Sequence, residues 1–100
     1  MLSILIPTYN YNVVPLVLEL QKQCLECKIH YEILVFDDGS KGFLDENQKI
    51  NSLENCRFDV LEKNIGRSAI RNLLAKKAKF NSLLFLDADT IPIHNHFIKS

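Results

Sequence analysis

Tryptophan is absent from this sequence, and cysteine, proline and glycine occur only three times each among its 100 residues. Three cysteines are an odd number and too few for a disulfide framework, so we expect reduced thiols in a reducing compartment. The scarcity of glycine and proline leaves no flexible linker or low-complexity segment, and no internal repeat is present. Disordered and disulfide-stapled classes of protein are therefore excluded.

Neither sign of charge is in excess, because 12 lysine and arginine residues balance 12 aspartate and glutamate residues. A chain without net charge has no general field that draws it onto nucleic acid or an anionic membrane, so we expect no nucleic-acid partner. The longest apolar runs, such as Leu83–Leu86, are far below the roughly 18 to 20 residues of a membrane span. The N-terminus has no basic region, sustained apolar segment or cleavage site. We therefore expect no transmembrane segment and a cytoplasmic location, with a peripheral position on the inner face of the membrane left open for a full-length protein.

Hydrophobic residues make up 47% of the chain and charged residues 24%, which is typical of one small globular domain. Short apolar runs alternate with segments of helical periodicity, and this alternation predicts a mainly parallel sheet covered by helices. The predicted strands are Ser3–Ile6, Ile33–Phe36, Arg57–Leu61 and Leu83–Leu86, and the predicted helices run from Asn12 to about Lys28, over Leu44–Leu53 and from Gly66 onward. Asn12 is the expected N-cap of the first helix, and Pro15 is tolerated in its first turn.

Polar motifs follow three of the predicted strands. They are Pro7-Thr8-Tyr9-Asn10, Asp37-Asp38-Gly39-Ser40 and Asp87-Ala88-Asp89. In parallel α/β sheets, ligands bind beyond the carboxyl ends of the strands. The sequence therefore predicts one binding site to which three strand ends contribute.

Asp87 and Asp89 are two positions apart at the end of an apolar strand, so both carboxylates project to the same side of an extended backbone. A small number of hard oxygen ligands, with room for water, suits Mn²⁺ or Mg²⁺ bridging to a substrate phosphate. The alternative is that an isolated Asp-x-Asp forms only a solvated turn.

Six of the twelve basic residues lie between Lys63 and Lys79, a segment without any acidic residue. Arg67 and Arg71 fall in the first turns of the third helix, where the helix dipole disfavours cations. A bound diphosphate would offset this cost through the guanidinium groups and the free backbone N–H groups. For the lysines at the other end of the helix, the simpler interpretation is that they complement the helix C-terminus.

Two further patterns favour structural explanations over chemical ones. Cys24 and Cys27 form a Cys-x-x-Cys, but they lie at the end of the first helix on its apolar stripe. That position favours buried, inert thiols over a redox pair or half of a zinc site. His94 and His96 lack further ligands beside them, so loop polarity is the better interpretation of this pair.

The ordered set of motifs resembles the N-terminal half of a GT-A fold glycosyltransferase of the large inverting family 2. The segments that carry the resemblance are Ser3–Asn10, Glu32–Ser40, Asn64–Asn72 and Leu84–Asp89, and they come in the family's order and at its spacing. The resemblance implies a Rossmann-like three-layer α/β/α fold with a mainly parallel sheet. Within it, residues 1–100 would form the nucleotide-sugar-binding half, and the acceptor-binding half would be absent from this chain.

The resemblance also implies how the nucleotide base is bound. Pro7 and Tyr9 match the strand-end segment that lines the base, with Tyr9 as the stacking surface. Asp38 matches the residue that reads the uracil edge, whereas Asp37 is expected to be structural.

The diphosphate and the metal are assigned by the same resemblance. Arg71 matches the arginine near the base and the diphosphate, although Ile70 stands where the family usually has a small residue. Asp87 matches the acid near the ribose, and Asp89 matches the acid that binds the metal, so the pair is the expected site for Mn²⁺ or Mg²⁺.

The expected function is that of the donor-binding part of a metal-dependent, inverting glycosyltransferase. The expected donor is a nucleotide-diphospho-sugar, in particular a UDP-sugar, and the acceptor is a hydroxyl of a glycan, lipid or protein. In the family the general base lies downstream of Ser100, so we expect this chain alone to bind the donor without transferring the sugar. Separated from its downstream neighbour, Leu83–Leu86 becomes an apolar edge that invites pairing with a second copy.

Two other functions remain as alternatives. One is a non-catalytic nucleotide-binding module, which would bind the nucleotide without chemistry. The other is a nucleotidyltransferase, which would be expected to carry a glycine-rich loop with a basic residue after the first strand. Thr8–Asn12 contains neither glycine nor lysine, so the sequence favours the glycosyltransferase over the nucleotidyltransferase.

Overall fold

Strands and helices alternate along residues 1–88, the part of the chain that the computed structural model describes. The strands are β1 (Leu2–Thr8), β2 (Tyr31–Asp37), β3 (Cys56–Val60) and β4 (Ser82–Phe85), and the helices are α1 (Val14–Cys27), α2 (Leu44–Gln48), which continues into a 3₁₀ turn (Lys49–Ser52), and α3 (Arg67–Lys77). The alternation predicted from the apolar runs is therefore confirmed. Among the described residues, no helix has the length and apolar character needed to cross a membrane.

The four strands form one parallel sheet in the order β3-β2-β1-β4. β1 pairs with β2 along its whole length, but with β4 only as far as Leu5. β1 continues through Pro7, beyond the strand end predicted at Ile6. The Leu5 carbonyl accepts the N–H of Leu86, so the odd-numbered residues of β1 direct their backbone groups toward β4. The N–H that Pro7 lacks would lie beyond the end of that pairing, which is why proline is tolerated inside this strand.

The two faces of the sheet bury alternate residues against different helices. One face forms a core with α1 and the 3₁₀ turn, and its fully buried members include Ile4, Ile6, Ile33, Val35, Leu20 and Ile50. On the other face, Leu5, Leu34 and Phe36 pack with Ile70 and Leu74 of α3. Helices on both faces give the predicted three-layer arrangement, and the parallel strands bring their carboxyl ends to one edge.

Helix α1 begins one residue later than predicted. Val13, not Asn12, is the N-cap residue, and Pro15 lies in the first turn as expected. Asn12 accepts the N–H of Val14 through Oδ1 at 3.1 Å. The N–H of Val13 donates to Oδ1 of Asn47 at 3.0 Å. This partner comes from α2, so the local sequence around Asn12 could not reveal it.

The three cysteines are free thiols. Burial raises the pKa of the Cys24 thiol to about 11 and the pKa of the Cys56 thiol to about 12. Because a thiol must ionise to act as a nucleophile or a metal ligand, both groups are unreactive at neutral pH. The prediction that the thiols at the end of α1 are buried is confirmed for Cys24 and wrong for Cys27, which is only half-buried.

The outer edge of β4 has no neighbouring strand within residues 1–88. Leu83 on this strand is 41% exposed. The downstream strand that the resemblance implies falls outside the described residues. The expected pairing of this edge with a second copy therefore stays a prediction.

Candidate functional site

A cleft of about 350 Å³ lies beyond the carboxyl ends of β1, β2 and β4. Four of the predicted site residues line it: Pro7, Tyr9, Asp38 and Asp87. They follow three different strands, and the parallel sheet brings them together as the sequence predicted. Of the other two predicted residues, Arg71 lies beside the cleft, and Asp89 falls outside the described residues.

Two tyrosines in the loop between β1 and α1 form one wall of the cleft, here called the tyrosine wall. Tyr9 is 54% exposed and Tyr11 is 42% exposed, and both line the cleft. Large aromatic rings that stay exposed beside a cleft are suited to stacking on a flat ligand. The exposure of Tyr9 fits the stacking role that the resemblance implies.

Asn10 fastens the loop of the tyrosine wall to the loop that follows β2. Its backbone φ is 50°, a left-handed conformation that asparagine tolerates better than most residues. Its N–H donates to Oγ of Ser40. Its side-chain Oδ1 accepts the N–H groups of Lys41 at 3.0 Å and Gly42 at 3.3 Å. The two loops at this end of the sheet therefore hold each other in place.

Asp38 connects the end of β2 to the start of α3. Its carboxylate accepts the N–H of Ile65 at 2.7 Å and the N–H of Gly66 at 3.1 Å, and its carbonyl accepts the side-chain amide of Asn64 at 3.2 Å. Asp38 is only 7% exposed, yet it lines the cleft. Each carboxylate oxygen can accept a second hydrogen bond, so the group can hold the loop and still accept a bond from a ligand.

Asp37 lies deeper than Asp38 and is fully buried. Its Oδ1 accepts the N–H of Ser40 at 2.5 Å, and this bond shapes the turn after β2. Its Oδ2 and the hydroxyl of Thr8 are buried without a hydrogen-bond partner among the described residues. Asp37 therefore lies beneath the turn after β2 and stabilises it, in keeping with its expected structural role.

The opposite wall of the cleft is formed by the start of α3 and the end of β4. Nη2 of Arg67 lies 3.4 Å from Oδ1 of Asp87, and the two side chains are 72% and 54% exposed. The first turn of α3 contains no acidic residue, and Gly66 at its N-cap gives no side-chain hydrogen bond. The N–H groups of this first turn, which no side chain caps within residues 1–88, and a cation therefore lie on this side of the cleft, as an anionic ligand would require.

Arg71 does not line the main cleft. Its guanidinium lies over the ring of Phe85, 4.7 Å from the ring centroid. It also lines a smaller cavity of about 90 Å³ that it shares with Pro7 and Asp87. Of the two arginines at the start of α3, the structure therefore places Arg67 in the cleft and Arg71 next to it.

The predicted donor set for a divalent cation is only partly inside the described residues. Within residues 1–88, no group of three or more His, Cys, Asp or Glu side chains converges. Asp87 offers an exposed, hard carboxylate whose one side-chain partner in that part of the chain is Arg67, at 3.4 Å. Such a ligand fits Mn²⁺ or Mg²⁺ that takes its remaining ligands from water and phosphate oxygens. Asp89, His94 and His96 lie outside the described residues.

A comparison with known protein families shows to which family this chain belongs. The signature of the family described as "Glycosyl transferase family 2" matches residues 3–99. The chain belongs to this family. The resemblance read from the ordered motifs is therefore confirmed, and the chain corresponds to an N-terminal portion of a family member.

Two curated family 2 relatives are chondroitin synthases. The one from Escherichia coli is 40% identical over an alignment of 95 positions, which covers 91% of this chain and 14% of that protein. The one from Pasteurella multocida is 34% identical over an alignment of 97 positions, which covers 91% of this chain and 10% of that protein. The chain thus spans about a seventh and a tenth of the length of these relatives.

Solved structures with the same fold include TarS of S. aureus. The structure of its residues 1–349 has a TM-score of 0.78 at 30% identity and covers 98% of this chain and 30% of that one. The complexes of the same fragment with UDP and with UDP-GlcNAc have TM-scores of 0.66 and 0.73 at 29% and 30% identity. They cover 88% of this chain and 27% and 26% of those chains. The α/β fold expected for the N-terminal half of a GT-A family 2 enzyme is therefore confirmed.

Sequence reasoning did not single out two residues of the family 2 cleft. Tyr11 and Thr8 both line it. A second tyrosine two positions after Tyr9 in a predicted loop was an available signal for Tyr11. The hydroxyl of Thr8 belongs to the strand end itself and carries no pattern that separates it from an ordinary strand residue.

Proposed function

We propose that this chain is the donor-binding part of a glycosyltransferase that uses a UDP-sugar. The observation that carries the proposal is the cleft at the strand ends, which gathers the tyrosine wall, Asp38, Arg67 and Asp87 in a family 2 fold. The likeness to TarS, which has been solved with UDP and with UDP-GlcNAc, supports a uridine diphosphate donor. A glycan, lipid or protein hydroxyl is the acceptor in this proposal.

Each part of the donor has a place in the cleft under this proposal. The uracil ring stacks on Tyr9 beside Pro7, and its polar edge meets the carboxylate of Asp38. The ribose lies near Asp87. The diphosphate lies at the start of α3, where Arg67 and the free N–H groups offset its charge and Arg71 adds a second cation from behind.

A divalent cation completes the donor site in the proposal. Asp89 and Asp87 would hold Mn²⁺ or Mg²⁺, which supplies positive charge to the departing diphosphate. In the inverting transfer, the acceptor oxygen forms a bond to C1 of the sugar while the bond from C1 to the diphosphate oxygen breaks. The proton of the acceptor hydroxyl goes to a general base that no residue of this chain is assigned to provide. UDP leaves with the electron pair of the broken bond.

The experiment that tests this function is an assay of the full-length protein with separate donors. A glycosyltransferase releases UDP from a UDP-sugar in an acceptor-dependent way. A non-catalytic module would bind UDP and release nothing, and a nucleotidyltransferase would release pyrophosphate from UTP. Pyrophosphate release without UDP release would overturn the proposal.

We also propose that the edge of β4, which has no neighbouring strand among residues 1–88, pairs with a second copy when this chain is studied alone. The exposure of Leu83 on an edge strand supports the proposal. Size-exclusion chromatography with light scattering should show dimers or larger species, and a clean monomer at high protein concentration would contradict it.

A further inference from the structure

A buried amide in α2 supports the loop that carries the tyrosine wall. Asn47 is fully buried and does not line the cleft. Its Nδ2 donates to the carbonyl of Tyr11 at 2.8 Å. Its Oδ1 accepts the N–H of Val13 at 3.0 Å. One amide group therefore binds the backbone on both sides of Asn12.

This double contact restricts the loop more than a single hydrogen bond would. The peptide groups between Tyr11 and Val13 cannot rotate unless a part-buried carbonyl or a buried N–H loses its partner. Val13 is itself fully buried in the core under α1, so it gives the contact a fixed end. On the other side, Asn10 is bonded to Ser40. Tyr11 lies between these two fixed points, so its backbone, and with it the direction of its Cα–Cβ bond toward the cleft, is held in place.

We infer that Asn47 is a positioning residue for nucleotide binding: from outside the cleft, its amide sets the position of Tyr11 in the tyrosine wall and with it the affinity for the base. The inference rests on the proposed function, because that function places the base against this wall. Asn47 belongs to none of the sequence motifs that carry the resemblance to family 2.

The sharpest test is Asn47→Asp. The substitution keeps the size of the side chain and the acceptor for the N–H of Val13, but it replaces the amide donor with an oxygen that faces the carbonyl of Tyr11. Two acceptors repel each other, so the loop must move. Base stacking on one aromatic ring is strong enough that we expect the Kd for UDP to rise about ten-fold. The Kd for inorganic pyrophosphate with Mn²⁺ should change by less than about two-fold, because that probe has no base.

The chain offers a matched control in Asn51. Its Oδ1 accepts the N–H of Phe58 at 2.9 Å, and its Nδ2 donates to the carbonyl of Phe58 at 3.2 Å. The same kind of double amide contact is thus made away from the cleft. Asn51→Asp should lower the unfolding temperature without changing the Kd for UDP.

The experiment is isothermal titration calorimetry of UDP and of pyrophosphate against the full-length wild-type, Asn47→Asp and Asn51→Asp proteins, with amide hydrogen exchange of residues 9–13. Weaker UDP binding and faster exchange in Asn47→Asp alone would support the inference. An unchanged UDP affinity in Asn47→Asp, or equal losses for UDP and pyrophosphate, would overturn the role of Asn47. Absence of UDP binding to the wild-type protein would instead overturn the proposed function, and unchanged exchange would then also overturn the loop restraint.

Discussion

The two walls of the cleft are built in opposite ways. On the β1–β2 side, Asp38 is 7% exposed and binds the backbone of the loop before α3, while Asn10 and Asn47 hold the tyrosine wall. On the α3–β4 side, Arg67 and Asp87 meet in one ion pair of 3.4 Å between exposed side chains. An exposed ion pair contributes about 0–1 kcal/mol to stability, so these two side chains can separate at little cost.

The difference fits the two halves of the proposed donor. A nucleotide base is flat and rigid, and a wall fixed before binding loses little conformational entropy when the base stacks on it. A diphosphate with its cation brings charge that must replace the contact between Arg67 and Asp87. A weak, exposed ion pair keeps both charges available for that exchange, because neither is held in a buried network.

Asp38→Ala tests the β1–β2 side of the cleft, and we expect it to have the largest effect on stability and on UDP binding. The substitution removes the acceptor of the N–H groups of Ile65 and Gly66. We expect the free energy of unfolding to fall by about 2 kcal/mol, because two part-buried N–H groups lose a charged acceptor, and UDP binding to be lost with it. Urea denaturation and calorimetry measure the two effects. An unchanged unfolding midpoint would show that this carboxylate does not hold the start of α3.

Arg67→Gln would test the adaptable wall. We expect no change in the unfolding midpoint, since the ion pair is exposed. The Kd for UDP should rise about five- to ten-fold through loss of a charged contact to the diphosphate. Added salt should weaken UDP binding to the wild type more than to the variant.

Arg71→Gln is the matched control for that variant. It removes the contact over the ring of Phe85, which contributes about 0.5–1 kcal/mol to stability, and it should affect UDP less than Arg67→Gln does. A larger loss of UDP affinity from Arg71→Gln would contradict the assignment of Arg67 to the cleft and favour the arginine matched by the family motif.

The smallest effect concerns thiols that lie outside both walls. The folded protein raises the pKa of Cys24 and Cys56 above the ordinary value of 9.0 because burial disfavours the thiolate. As the pH rises above 9, the thiols of the unfolded chain therefore lose their protons before those of the folded protein do. The stability that the two thiols contribute is complete below pH 9 and is lost as the pH rises toward 11 for Cys24 and 12 for Cys56. Urea denaturation at pH 8 and pH 10 should show a smaller decrease in Cys56→Ser than in the wild type. An equal decrease in both would assign the pH dependence to other groups.

The parts of the site that the sequence predicted are those that adjoin an apolar run. Asp38 and Asp87 follow apolar strands, and in a parallel sheet this alone places them at one edge. The course of β1 through Pro7 could not be predicted, because it depends on where β4 stops pairing. The contact of Asn47 with Val13 joins residues 34 positions apart, so no local pattern contains it. Which of Arg67 and Arg71 lines the cleft could not be predicted from the sequence either, because it depends on the contact of Arg71 with the ring of Phe85 in a distant strand.

The most direct test of the central claim is isothermal titration calorimetry of UDP against the full-length protein, with and without Mn²⁺, repeated on Asp89→Asn and with GDP as the comparator. The account predicts binding that requires Mn²⁺, favours UDP over GDP and is lost in Asp89→Asn. Equal binding of UDP and GDP, or no binding of UDP to a folded wild-type protein in the presence of Mn²⁺, would contradict it.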